Sequence, residues 1–83
     1  MFNNKKILIT GGTGSFGKTF VPMTLQEYNP KEIIIYSRDE MKQWTMAENY
    51  KKYNNLNFVI GDVRDKERLS RVLDDVDYVV HAA

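Results

Sequence analysis

Residues 10–19, Thr10-Gly11-Gly12-Thr13-Gly14-Ser15-Phe16-Gly17-Lys18-Thr19, decide how the rest of the chain is read, because three phosphate-binding patterns overlap in them. Gly12, Gly14 and Gly17 fit the dinucleotide fingerprint G-x-G-x-x-G, and Thr10, Gly11, Gly14 and Gly17 fit its relative T-G-x-x-G-x-x-G. Gly12, Gly17, Lys18 and Thr19 also complete the triphosphate loop G-x-x-x-x-G-K-[ST]. All three use one physics: glycines tolerate positive φ and let backbone N–H groups approach a phosphate, and a helix N-terminus adds about half a positive charge. The glycines alone therefore do not separate the ligands.

Their surroundings carry more. Lys6-Ile7-Leu8-Ile9-Thr10 reads as a strand entering the turn, and three further short apolar runs follow: Ile33-Ile34-Ile35-Tyr36, Phe58-Val59-Ile60 and Tyr78-Val79-Val80. None alternates, as expected of strands covered on both faces. Between them lie three helical stretches. The first starts near Ser15, turns Phe16, Phe20, Val21, Thr24, Leu25 and Tyr28 toward the sheet, and ends at Asn29-Pro30. Pro22 inside it predicts a kink or a later helix start.

Ser37-Arg38-Asp39-Glu40 matches an S-x-x-E capping box for the second helix, whose Met41, Trp44, Ala47 and Tyr50 share a helical spacing that suits packing. Asp65 opens the third, with Leu69, Val72 and Leu73 inward. The order β-α-β-α-β-α-β implies a Rossmann-type, doubly wound parallel α/β sheet, partial in extent, in strand order 3-2-1-4.

The chain has 83 residues, 42% hydrophobic and 28% charged, with a net charge of +1. That balance gives no field that argues for nucleic acid or a membrane surface. There is no cysteine, so disulfides and thiolate metal sites are excluded, and a single His81 makes no metal site. The N-terminal residues MFNNKK precede no signal-peptide core or membrane span, and a cytoplasmic protein is expected.

A triphosphate site needs a carboxylate for magnesium at the end of a neighbouring strand, and Phe58-Val59-Ile60-Gly61-Asp62 offers a loose version with Gly61 interposed. A dinucleotide site needs ribose recognition after the second strand, about 20 residues past the glycines. Ser37, Arg38 and Asp39 stand there, with Lys42 one helical turn beyond Arg38. Two cations at that point suit the extra phosphate of NADP, the alternative being a solvated helix start. Asp39 keeps a ribose hydroxyl contact open. Asp62 and Val63 either border an adenine ring or form a helix-entry loop, and the small residues of His81-Ala82-Ala83 would let a cofactor lie close to the backbone beside strand one.

Through ILITGGTGSFGKTF, IIIYSRDEMKQ, FVIGDVRDKERL and VDYVVHAA the whole chain resembles the extended short-chain dehydrogenase/reductase superfamily. Within it, Ser37-Arg38-Asp39-Glu40 and Gly61-Asp62-Val63-Arg64-Asp65 resemble the inverting UDP-N-acetylglucosamine 4,6-dehydratases of surface-glycan pathways such as that of pseudaminic acid. The resemblance implies that Thr13, Gly14, Ser15 and Phe16 surround the pyrophosphate of NADP, with Gly11 and Gly17 of the same loop among the cofactor-binding residues, and that residues 37–42, with Ser37, Arg38, Asp39 and Lys42, hold its adenosine phosphate. Asp62 and Val63 would flank adenine, and Ala82 and Ala83 would touch the ribose of the nicotinamide half. Lys18-Thr19 become first-turn helix residues in this view.

In such enzymes NADP takes hydride from C4 of the sugar, water leaves across C5 and C6, and hydride returns to C6 with inversion at C5. A Tyr-x-x-x-Lys pair serves that chemistry, and Tyr50, followed by Lys51, Lys52, Tyr53 and Asn54, misses the spacing. The expectation is an N-terminal portion of an NAD(P)-binding domain, residues 1–83, without catalytic or substrate-binding regions and silent by itself. The alternatives are a triphosphate-binding domain and a non-catalytic dinucleotide-binding half-domain. A last strand left as an edge also predicts self-association.

Overall fold

The computed structural model describes residues 1–82. The chain runs β1 (Lys6–Thr10), α1 (Ser15–Glu27), β2 (Glu32–Ser37), α2 (Glu40–Asn49), β3 (Leu56–Ile60), α3 (Lys66–Val72) and β4 (Tyr78–His81). The four strands form one parallel sheet in the order β3-β2-β1-β4. Register is set between apolar runs: Ile7, Leu8 and Ile9 lie opposite Ile33, Ile34 and Ile35, and Leu8 and Ile9 opposite Val79 and Val80.

Because successive side chains of a strand point to opposite faces, each run is divided between two cores. Ile7, Ile9, Ile33 and Ile35 pack with Val21 and Leu25 of α1, Met46 of α2 and Leu56. Leu8, Ile34 and Tyr36 pack on the other face with Val59, with Leu69 and Val72 of α3, and with Val76. The isoleucines of the first core are fully buried, each contributing about 1.5–3 kcal/mol. With α1 and α2 on one face and α3 on the other, the chain winds outward from β1 to β3, then returns past β1 to β4. The strand order reverses at β1, where open α/β sheets leave a crevice outside the carboxyl ends of their strands.

Several helix expectations are corrected. Helix α1 starts at Ser15 and runs through Pro22 to Glu27, so the later start does not occur. Phe16 is exposed and stacks on Phe20 with ring centroids 5.3 Å apart, instead of turning to the sheet. Leu73 is the C-cap of α3 and is exposed rather than inward. The S-x-x-E box does not form: Ser37 remains in β2, and Asp39 caps α2 by accepting from the backbone N–H of Lys42 at 2.9 Å. The inward face of α2 is also different. Met41 and Trp44 are 78% and 67% exposed, while Gln43 and Met46 are buried.

Candidate functional site

The glycines of the turn after β1 serve three distinct geometric purposes. Gly11 has φ 67°, the left-handed region that favours glycine, and its N–H donates to Tyr36 O at 2.9 Å. Gly12 and Gly17 are places of close approach: a Cβ on Gly12 would lie 2.9 Å from the side chains of Ile9 and Ile35, and one on Gly17 would overlap the carbonyl group of Gly12. Gly14 is under neither constraint. Its φ is −84°, and an added Cβ would meet nothing nearer than Gly11 O at 3.7 Å. Gly14 is also the N-cap of α1, supplies no side-chain hydrogen bond, and is followed by a first turn without an acidic residue. The positive helix end is thus open on the side where a Cβ would stand, an arrangement that suits an anion.

A cleft of about 770 Å³ extends from this turn across the ends of β2 and β3. Its wall comes from Gly11 and Thr13 after β1, from Tyr36 to Asp39 at the end of β2, and from Gly61 to Arg64 after β3. The structure therefore brings together seven of the residues singled out in the sequence: Gly11, Thr13, Ser37, Arg38, Asp39, Asp62 and Val63. Gly14, Ser15, Phe16 and Gly17 belong to the adjoining loop and helix start without lining the cleft. Lys42 faces a separate hollow between α1 and α2, with its Nζ 4.0 Å from Asp39 Oδ2. Ala82 lies on the β1–β4 seam, its N–H donating to Thr10 O at 2.9 Å, and Ala83 lies outside the described residues.

Asp62 is held more firmly than either sequence reading of it supposed. The Arg64 guanidinium donates to both carboxylate oxygens, with Nη2 2.8 Å from Oδ2, and the Arg64 backbone N–H donates to Oδ1 at 2.9 Å. Arg38 Nη1 stands 3.7 Å from Oδ2. The side-chain and backbone hydrogen bonds from Arg64 lower the Asp62 carboxyl to about 2, with the charges of Arg64 and Arg38 adding to them. Asp62 thereby ties two arginines to the cleft rim, while Asp65 caps α3 by accepting from Arg68 N–H at 3.1 Å.

Four contributors escaped the sequence reading. Tyr36 is fully buried at the cleft floor and donates its hydroxyl to Asp62 O at 2.9 Å, and burial raises its phenol above the ordinary value. Gly61 makes room for it, since a Cβ there would lie 2.5 Å from the phenol oxygen. Arg64 is the third. The fourth is Gln43, whose buried Nε2 donates toward Ser37 Oγ at 2.8 Å, Val59 O at 2.9 Å and Ser37 O at 3.2 Å, tying the ends of β2 and β3. The spacing of Gln43, Met46 and Tyr50 is as helical as that of Met41, Trp44 and Ala47. A polar residue within it was the available sign.

The triphosphate alternative finds no matching loop. Such a loop wraps phosphate with the N–H groups of residues between its glycines, but residues 15–17 are already helical and Gly17 is packed on Gly12. Lys18 lines the hollow between α1 and α2 rather than the cleft, and the Asp62 carboxylate is occupied by arginine. A parallel sheet that reverses order at β1, with a glycine turn opening a cleft at the carboxyl ends of its strands, defines a Rossmann-type fold.

The family described as polysaccharide biosynthesis protein matches residues 7–83, and the chain belongs to it. A UDP-N-acetylglucosamine 4,6-dehydratase (inverting) of Campylobacter jejuni is 60% identical over all 83 residues, which cover 25% of that protein. A UDP-glucose 4-epimerase of Rickettsia bellii is 48% identical over the whole chain and 25% of its own length. The chain thus spans about a quarter of the length of the curated relatives it matches. Among solved structures, Pen from Bacillus thuringiensis superposes with a TM-score of 0.94 at 37% identity, over 100% of this chain and 25% of the other. A dTDP-glucose 4,6-dehydratase from Bacillus anthracis in complex with NAD superposes with a TM-score of 0.78 at 29% identity, over 95% of this chain and 26% of the other.

Proposed function

We propose that these residues form the NADP-binding N-terminal part of a nucleotide-sugar 4,6-dehydratase acting on UDP-N-acetylglucosamine in surface-glycan synthesis. The observation that carries it is the cleft itself, which runs from Gly11 and Thr13, next to the open helix N-terminus at Gly14, to Ser37 and Arg38 at the end of β2. A dinucleotide with phosphates at two places requires such a cleft between a glycine turn and a strand tip. The pyrophosphate would lie over Thr13, Gly14 and Ser15, the adenosine phosphate against Ser37 and Arg38, and adenine along Val63. Ala82, and Ala83 after it, would border the nicotinamide half at the reversal point beside β1.

The dinucleotide, when bound, supplies the acceptor and donor of hydride. The protein's own part here is to hold and orient: backbone N–H groups and the α1 dipole neutralise pyrophosphate charge, and Arg38, steadied by Asp62, meets the third phosphate. The Bacillus anthracis dehydratase holds NAD, and the guanidinium at the β2 tip supports NADP for this chain. The 60% identity to the Campylobacter jejuni dehydratase supports the sugar substrate. We place the acid–base residues outside residues 1–83 and the protein in the cytoplasm, and for residues 1–83 taken alone we expect self-association through the edge of β4. Among the described residues no helix is long and apolar enough to cross a membrane.

The reading is tested by incubating the intact protein, loaded with NADP, with UDP-N-acetylglucosamine. The expected product has lost one water, with a keto group at C4, a methyl group at C6 and inversion at C5, and the dinucleotide is unchanged at the end. A C4 epimer formed without loss of water would overturn the dehydratase assignment. Residues 1–83 alone are expected to turn over no UDP-sugar.

A further inference from the structure

We propose that Gln43 is a positioning residue that makes the β2 tip selective for a phosphate monoester by fixing the Ser37 hydroxyl as a hydrogen-bond donor. The inference rests on the dinucleotide reading above and adds to it the residue that orients recognition. Gln43 is 5% exposed and Ser37 7% exposed, so neither orientation is averaged by bulk water. The amide NH2 of Gln43 faces two backbone carbonyls, Val59 O and Ser37 O, together with Ser37 Oγ. Carbonyls only accept, so the NH2 and not the amide oxygen must occupy that place. One hydrogen meets Val59 O at 2.9 Å, and the other meets Ser37 Oγ at 2.8 Å with Ser37 O as a longer partner at 3.2 Å.

A serine hydroxyl has one proton to give and two lone pairs to receive. Since Oγ receives from Gln43, its own proton is left without an acceptor among the described residues, and Ser37 lines the cleft. The neighbouring groups act in the same sense. Arg38 is donor-only, and Asp39 directs Oδ1 to the Lys42 backbone N–H and Oδ2 toward Lys42 Nζ, 4.0 Å away. At the end of β2, Ser37 and Arg38 therefore both present donors to the cleft. That pattern suits the acceptor-rich oxygens of a phosphate monoester on ribose, which receive from both donors at once, better than a single ribose hydroxyl.

The test measures equilibrium binding of NADP and NAD by calorimetry at one pH and salt concentration, using the intact protein, Gln43→Met, Gln43→Glu, Ser37→Ala and the double variant Ser37→Ala/Gln43→Met. Thermal unfolding checks that each is folded. The preference for NADP over NAD is expected to fall about tenfold in Gln43→Met, the effect of one hydrogen bond to a charged group. It falls further in Gln43→Glu, where the carboxylate takes the Ser37 proton and leaves an acceptor facing the cleft. Ser37→Ala lowers it as much as Gln43→Met does, and the double variant shows no additional loss, because the two residues act through one proton.

A merely structural tie between β2 and β3 would weaken both dinucleotides alike, and equal losses in Gln43→Met would overturn the proposal. So would additive effects in the double variant. If Gln43→Met does not fold, Ser37→Ala still decides, since an unchanged preference there removes the proton from recognition. A wild-type protein that prefers NADP while all variants keep that preference refutes this inference alone, whereas a wild-type protein binding neither dinucleotide refutes the dinucleotide reading and this inference with it.

Discussion

The two ends of the cleft are built on different principles. At the glycine turn, position is enforced by lack of room: a Cβ on Gly12 would meet Ile9 and Ile35, and one on Gly17 would meet the backbone of Gly12. At the tips of β2 and β3, position is enforced by hydrogen bonds and charge, through Gln43 to Ser37 and through Arg64 and Arg38 to Asp62. Packed backbone does not adjust to a new atom, whereas an ion pair or hydroxyl can be replaced with the fold intact. In the proposed reading, the turn end accepts any pyrophosphate and the tip end tells one dinucleotide from another.

The largest effect should come from adding a methyl group where backbone meets backbone. Gly17→Ala is expected to destabilise by about 3 kcal/mol or more, because neither α1 nor the Gly12 carbonyl can move aside cheaply. Chemical denaturation of the intact protein measures it, and a loss below about 1 kcal/mol would show that this end is not contact-enforced. Gly14→Ala sharpens the comparison from the same turn. Its Cβ stands in open space, so stability should change by about 1 kcal/mol or less while dinucleotide affinity falls more than roughly tenfold. Unchanged affinity would remove the pyrophosphate from above Gly14.

The smallest effect concerns pH at the polar end. The Asp62 carboxyl is lowered from 3.8 to about 2, so its ion pair with Arg64 is fully present above pH 3.8 and is lost as pH falls through about 2. Binding and local order at the β3 tip are thus expected to be insensitive to the Asp62 charge between pH 5 and 8. Carboxyl chemical shifts followed by NMR should give a midpoint near 2 for Asp62. A midpoint near 3.8 would mean that the arginine latch is not held in solution.

The contrast between the two ends also explains what could be read from sequence. Strand positions and the order 3-2-1-4 were legible because Ile7-Leu8-Ile9 and Ile33-Ile34-Ile35 are uninterrupted apolar runs, alternating with helices, whose burial on two faces is most simply met by that order. The turn was legible because the glycine spacing itself signals it, with Gly11 at positive φ and Gly17 packed on Gly12 five residues earlier. The inward face of α2 was not. Hydrophobicity favours turning Met41 and Trp44 inward, but Gln43 is drawn in by acceptors on β2 and β3 that only the folded sheet assembles. Asp39 displaced Ser37 as helix cap for a related reason: Ser37 is already engaged as the last residue of β2, opposite Ile60. Lys42 was expected beside Arg38 from its one-turn spacing, yet the helix carries it toward α1 and away from the cleft.

The most direct test of the central claim is a binding titration of the intact protein and of Arg38→Glu with NADP, NAD and magnesium-ATP. The wild-type protein is expected to bind NADP most tightly. Charge reversal should weaken NADP by about tenfold to a hundredfold, the range for a hydrogen bond to a charged group, and leave NAD nearly unaffected. Equal losses for the two dinucleotides would reduce Arg38 to a surface charge, and tight magnesium-ATP binding without dinucleotide binding would contradict the account as a whole.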